Sequence, residues 1–188
     1  RSDFTLEATA LVNATGVWVD ALRRHATADR QSHLVSPSQG VHLVVSQDFL
    51  PAKQALLIPK TSDGRVLFAV PWLGALILGT TDTPRQDLPR HPEPFQEELY
   101  FLLQESSKAL AKPVRAKDVQ SVWVGLRPLV ATHDAHATPT LSREHTIVKD
   151  ANGMVSVTGG KWTTYRVMAQ DTLHACFDAQ LLPRRSAP

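Results

Sequence analysis

The sequence predicts a mixed α/β (α+β) fold, on three observations. A strand, turn and helix pattern stands near each end of the chain. Between them the hydrophobic period changes to two, with short strands separated by turn residues, the signature of a mostly antiparallel sheet. A helix with a buried apolar stripe follows that sheet. The 188 residues, 43% hydrophobic and 20% charged, suffice for one domain or two small ones and exclude a disordered or fibrous class. The 20 basic and 18 acidic residues give a formal charge of +2 and are spread along the chain, so nucleic acid is not expected as a partner. The single cysteine, Cys176, excludes an intrachain disulfide and a Cys-pair zinc site, suits a reducing compartment and reads as a small buried residue. The longest uncharged run, Val66 to Thr81, contains Pro71, Gly74 and Gly79 and fits a β-hairpin better than a membrane span. The chain opens at Arg1 and soon enters Ala8 to Asn13, a strand with the character of a central one, so a piece of a longer protein is expected.

In chain order, Leu11 to Asn13 reads as a strand, Thr15-Gly16 as a tight turn, and the following residues as a helix with Val17, Ala21, Leu22 and His25 on one face. This is a βα unit of the nucleotide-binding type, although the fuller GxGxxG fingerprint is absent from the sequence. Residues 26–39 are polar and Pro/Ser-containing and mark a crossing to a second region. Strands follow at Val41–Val45, Ala55–Pro59, Arg65–Val70 and Leu76–Gly79. A four-proline loop, Pro84 to Pro94, leads to a helix whose stripe is Phe95, Leu99, Leu102, Leu103, Ser106 and Leu110. In the next strand Val122, Val124 and Leu126 share one face and Trp123, Gly125 and Arg127 the other, with Arg127 held extended by Pro128. A strand carrying Leu141, Arg143, His145 and Ile147 comes next, then the turn Asp150 to Gly153.

Met154 to Thr158 is a short β-branched run that reads as a buried strand, and Gly159 to Arg166 spells GGKWTTYR. Beyond it Met168, Ala169, Thr172, Leu173 and Cys176 recur at helical spacing, with Arg166, Gln170, His174 and Asp178 on a polar face. Such a junction turns backbone N–H groups and the positive end of a helix toward its surroundings, and paired glycines let a partner approach the backbone. Lys161 adds a full charge. An ordinary turn with a surface lysine is an equally good reading of this stretch taken alone.

VNATGVWVD at Val12 to Asp20, QGVHLVV at Gln39 to Val45, PWLGALILGTTDTP at Pro71 to Pro84, VGLRPL at Val124 to Leu129, LSREH at Leu141 to His145 and VTGGKWTTYR at Val157 to Arg166 change the balance. Together, and in this order, they resemble FAD-dependent glycerol-3-phosphate dehydrogenase over nearly the whole chain. The resemblance implies part of an FAD-binding, Rossmann-like domain of the D-amino-acid-oxidase type at 1–28 and 148–182, an antiparallel substrate domain at 29–147, and a frayed tail at 183–188. The family's amino-terminal dinucleotide fingerprint and C-terminal helical cap have no counterpart in the sequence.

By the same resemblance, Thr15 and Gly16 meet the dinucleotide, while Gly159, Gly160, Lys161, Thr163 and Thr164 lie beneath the pyrimidine end of the flavin. Arg127 and Arg143 hold the substrate phosphate, for which a guanidinium fork is suited. Arg127 could instead cap a sheet edge through an internal carboxylate, and Arg143 could pair with Glu144 or Asp134. His42 is a further candidate for contact with substrate or flavin, although a lone strand histidine is more often structural; Asp82 could be a plain turn former. No metal site and no base for the hydroxyl proton is assigned. The implied reaction is oxidation of sn-glycerol 3-phosphate to dihydroxyacetone phosphate, with FAD as hydride acceptor and a membrane quinone as electron acceptor. The implied location is cytoplasmic, peripheral on the inner membrane. The chain alone is expected to be inactive and not to retain FAD. An amine or amino-acid oxidase of the same fold, and a flavin-free domain that binds a phosphorylated metabolite, are the competing readings.

Overall fold

The computed structural model describes residues 3–27, 33–131 and 144–184. The chain divides into two compact units, Arg1–Pro37 with Pro128–Pro188, and Ser38–Arg127. Sequence alone placed the breaks near 28/29 and 147/148. Contacts put them at 37/38 and 127/128, and the strand at His145–Lys149, which pairs along its length with Val155–Gly159, lies in the first unit.

In the first unit β1 (Val12–Asn13) runs parallel to β9 (Val155–Gly159), which also pairs antiparallel with β8 (His145–Lys149). The opening strand was expected to be central. Among the described residues β1 instead ends the order β1-β9-β8, and Leu11 and Val12 are 54% and 43% exposed. A 3-10 turn at Gly16–Trp18 leads into α1 (Val19–Ala26), and another at Trp162–Thr164 leads into α3 (Tyr165–Asp178).

The face that α1 buries differs from the apolar stripe read from its sequence. Val17, in the preceding turn, is buried as expected, but along α1 Val19, Asp20 and Arg23 are buried, whereas Ala21 and His25 are exposed. The reason is electrostatic: the Arg23 guanidinium donates to both oxygens of buried Asp150, with the shortest contact at 2.7 Å. Asp20 accepts from the backbone N–H groups of Leu34 and Val35. Two charged side chains can be buried here because each has a hydrogen-bonded partner. On α3, Thr172 and Cys176 are buried as expected, and Arg166, Gln170, His174 and Asp178 form the solvent face, but Ala169 and Leu173 are exposed.

The second unit is built on β2 (Val35–Ser46), β3 (Leu56–Ile58), β4 (Leu67–Trp72), β5 (Ala75–Gly79), β6 (Thr83–Pro84) and β7 (Ser121–Val130). The order is β3-β4-β5-β2-β6 with β7 also paired to β2, and β2 with β5, β2 with β6, β3 with β4 and β4 with β5 pair antiparallel, as the period-two pattern predicted. β2 starts earlier than the apolar run suggested, because Ser36, Pro37 and Ser38 hide the first third of the strand from a hydrophobicity reading. Val41, Leu43, Val45, Leu67, Ala69, Leu76 and Leu78 turn to one side and form the core with Leu102 of α2 (Gln96–Ala109). The stripe of α2 holds two buried carboxylates, Glu98 and Glu105, beside its expected apolar members. Glu105 accepts from the hydroxyl of Ser62 at 2.7 Å and from its backbone N–H at 3.2 Å.

Candidate functional site

Parallel pairing of β1 with β9 sets Asn13 opposite Ser156, so the Thr15-Gly16 turn and the Gly159-Gly160 loop leave the sheet at the carboxyl ends of neighbouring strands. That is where open α/β sheets bind their ligands. Asn13 fixes the first turn: its side-chain amide donates to the Val19 carbonyl at 3.0 Å and to Ser156, and its carbonyl oxygen accepts from the Thr15 hydroxyl at 2.7 Å.

The glycine pair has positive φ values of 76° at Gly159 and 72° at Gly160. A Cβ at Gly159 would lie 2.6 Å from the Glu144 carbonyl oxygen, and one at Gly160 would meet the Met168 thioether. No other residue fits both the conformation and the space. Lys161 then runs extended and exchanges hydrogen bonds with Thr164, whose backbone N–H donates to the Lys161 carbonyl at 3.0 Å. The expected strand, glycine pair and helix is therefore a strand, glycine pair, 3-10 turn and helix. Lys161, Thr163 and Thr164 are exposed, and Lys161 makes no ion pair among the described residues. One residue before the loop, the Thr158 hydroxyl is buried without a hydrogen-bond partner.

In the second unit Arg127, on β7, donates to the Thr81 carbonyl at 3.1 Å and to the Thr80 hydroxyl at 2.9 Å, and stands 3.6 Å from the Asp82 carboxylate. Asp82 also accepts from the Ser38 hydroxyl, so it is more than a turn former. The Arg127 guanidinium lies against the backbone of Gly40, where a Cβ would collide with it. Arg143 lies outside the described residues.

His42 stacks on Trp123 with ring centroids 4.0 Å apart and planes 6° from parallel. Its other side lies against Gly79, the residue opposite it on β5, and its Nδ1 is buried without a partner. Burial first, and the Arg127 charge second, lower its pKa from the ordinary 6.5 to about 4. The imidazole is accordingly neutral near pH 7.

This depression fixes the sign of a pH effect. Between about 4 and 6.5 the unfolded chain binds the His42 proton and the folded chain does not, so this group's contribution to stability is complete above the unfolded value and falls as pH falls through the window. The imidazole proton shifts of His42 should titrate with a midpoint near 4, and His42→Gln should flatten the corresponding part of the stability profile measured by urea unfolding. Gly79→Ala is expected to push the imidazole off the Trp123 indole and to cost about 1–3 kcal/mol by overpacking; unfolding and the Trp123 ring-current shift on His42 report both effects.

Sequence reasoning singled out Arg127 and His42 but not the surfaces that shape them. Gly40, Gly79, Thr80 and Thr81 were missed as site residues. Gly40 carried a usable signal, since it lies two residues before His42 on the same strand face, and glycine inside a strand marks a close approach. Among the described residues no group of three His, Cys, Asp or Glu could hold a metal ion.

The family model for FAD dependent oxidoreductases, abbreviated DAO, matches residues 2–166. The chain belongs to this family. Proteins that it is similar to include the mitochondrial glycerol-3-phosphate dehydrogenase of Arabidopsis thaliana, 41% identical over 96% of this chain and 29% of the relative. The mitochondrial glycerol-3-phosphate dehydrogenase of Homo sapiens is 41% identical over 92% of this chain and 24% of its own. The crystal structure of glycerol-3-phosphate dehydrogenase from Bacillus halodurans complexed with FAD superimposes with a TM-score of 0.78 at 34% identity, over 98% of this chain and 35% of that one. The chain thus spans 24% to 29% of the length of these curated relatives. Its first unit fits the family's cofactor chemically: a glycine-lined strand end, the Lys161 charge without an ion-pair partner among the described residues, and a buried, unpartnered Thr158 hydroxyl.

Proposed function

We propose that the chain carries flavin-contacting and substrate-contacting residues of an enzyme that oxidises sn-glycerol 3-phosphate to dihydroxyacetone phosphate. The observation that carries this reading is Arg127, a guanidinium seated on a glycine backbone and held by Thr80, Thr81 and Asp82. A cation fixed in this way presents a planar donor set to an oxyanion, and its orientation costs little on binding. Relatives named glycerol-3-phosphate dehydrogenase at 41% identity supply the substrate class.

Alcohol oxidation removes a hydride from carbon and a proton from oxygen; FAD, when bound, supplies the two-electron acceptor. Arg127 neutralises the phosphate, with Arg143 as its second arginine, and orients the carbinol carbon. His42, neutral near pH 7, offers an imidazole hydrogen bond without adding charge. Gly159, Gly160, Lys161, Thr163 and Thr164 would hold the flavin, and the Lys161 charge would favour its accepting a hydride. Thr15 and Gly16 meet the dinucleotide. The electron acceptor is a quinone, reached by peripheral attachment to a membrane; no helix among the described residues is long and apolar enough to cross one.

Titration of the chain with glycerol 3-phosphate, glycerol and glycine, followed by calorimetry, tests this reading. Binding of the phosphate ester alone is expected; equal binding of the amino acid would overturn it in favour of an amino-acid oxidase. The chain by itself is expected to leave purification colourless and without activity, since a GxGxxG loop, the main pyrophosphate site of such folds, is absent from its sequence. A stoichiometric yellow chromophore would refute that expectation.

A further inference from the structure

Residues 80–82, which join β5 to β6, belong to no strand, so their backbone is not held by a ladder and must be fixed by other hydrogen bonds. Thr81 supplies them. Its hydroxyl, on a residue 1% exposed, accepts from the Val41 backbone N–H at 3.0 Å and donates to Oε1 of Glu98 at 2.8 Å. Its carbonyl accepts from Arg127. Glu98, in the first turn of α2 and 4% exposed, is saturated with donors. Oε1 also accepts from the Thr83 hydroxyl at 2.7 Å, and Oε2 accepts from the Gln39 amide at 2.7 Å and the Phe95 backbone N–H at 2.9 Å.

We propose that Glu98 and Thr81 are positioning residues for Arg127: the Glu98 carboxylate holds the Thr81 hydroxyl on one side of the 80–82 segment, so that the carbonyl and side chains on the other side hold the guanidinium. The proposal rests on the reading of Arg127 as a phosphate ligand. Neither residue touches the phosphate. The carboxylate is buried at a point where a neutral apolar side chain would fill the space without satisfying the four donors that converge on it. A buried anion used in this way fixes the conformation of a segment, and through it the direction of a cation on the neighbouring strand.

The test follows the Arg127 Nε–Hε resonance of the full chain, assigned by its loss in Arg127→Lys. Thr81→Val removes the hydroxyl at constant shape, Thr81→Ser restores it, and Glu98→Asp draws the carboxylate back by one methylene while the protein stays charged and folded. Thr81→Val and Glu98→Asp should each speed solvent exchange of Hε and weaken glycerol 3-phosphate binding by about tenfold, and Thr81→Ser should stay within about threefold of the parent in both. Unchanged Arg127 resonances in Thr81→Val and Glu98→Asp would overturn the proposal whatever happens to affinity. Faster exchange in both variants, with no response of the parent resonance to glycerol 3-phosphate, would keep the positioning role and remove the phosphate reading beneath it. If Thr81→Val unfolds, Glu98→Asp against the parent decides.

Discussion

Arg127→Met is expected to lower affinity for glycerol 3-phosphate about a hundredfold, equivalent to roughly 2.7 kcal/mol, the range found when one partner of a fixed charge pair is truncated. Arg127→Lys should retain the attraction but lose the two-pronged geometry and fall about tenfold. The fold should survive both, because the Asp82 carboxylate keeps the Ser38 hydroxyl and the guanidinium is partly solvent-exposed. Calorimetric titration at fixed ionic strength measures the loss directly. Binding by Arg127→Met as tight as the parent's would show that the phosphate sits elsewhere.

The second large effect concerns stability. Asp150→Ala is expected to destabilise the first unit by about 3–5 kcal/mol, because buried Arg23 loses the carboxylate whose two oxygens accept from its Nε and Nη2. Asp150→Ala also strips Ser156 of an acceptor, and through Ser156 loosens Asn13, which holds the Thr15 turn. Urea unfolding followed by far-ultraviolet dichroism gives the magnitude.

Periodicity revealed the elements whose stability comes from apolar burial. The β4 and β5 strands, the α2 helix and the β9 strand all lie where alternation or helical spacing put them. It failed where polar side chains take over the interior. On α1 an apolar count selects Ala21, Leu22 and His25, yet the buried pair is Asp20 and Arg23, whose partners stand in distant parts of the sequence. At the candidate site the same limit applies. The guanidinium of Arg127 could be suspected from GLRPL, but its seat on Gly40 and its hold by Thr80 and Thr81 join residues 46 to 47 or more positions apart. Such contacts have no period to read. The tie between Glu98 and Thr81 is hidden for a further reason, since a glutamate in a first helical turn ordinarily signals a solvent-facing cap.

The break points of the two units fall at 37/38 and 127/128, within β2 and β7, which are hydrogen-bonded neighbours in one sheet. The second unit is thus an insertion whose entry and exit lie side by side, as the reach of Arg127 to Ser38 at 3.5 Å attests. An excursion of this kind imposes on its host only the closure of a narrow gap, an entropic cost nearly independent of how many residues the excursion contains. The strands between those two points can therefore be lengthened, shortened or exchanged while the host sheet keeps its register.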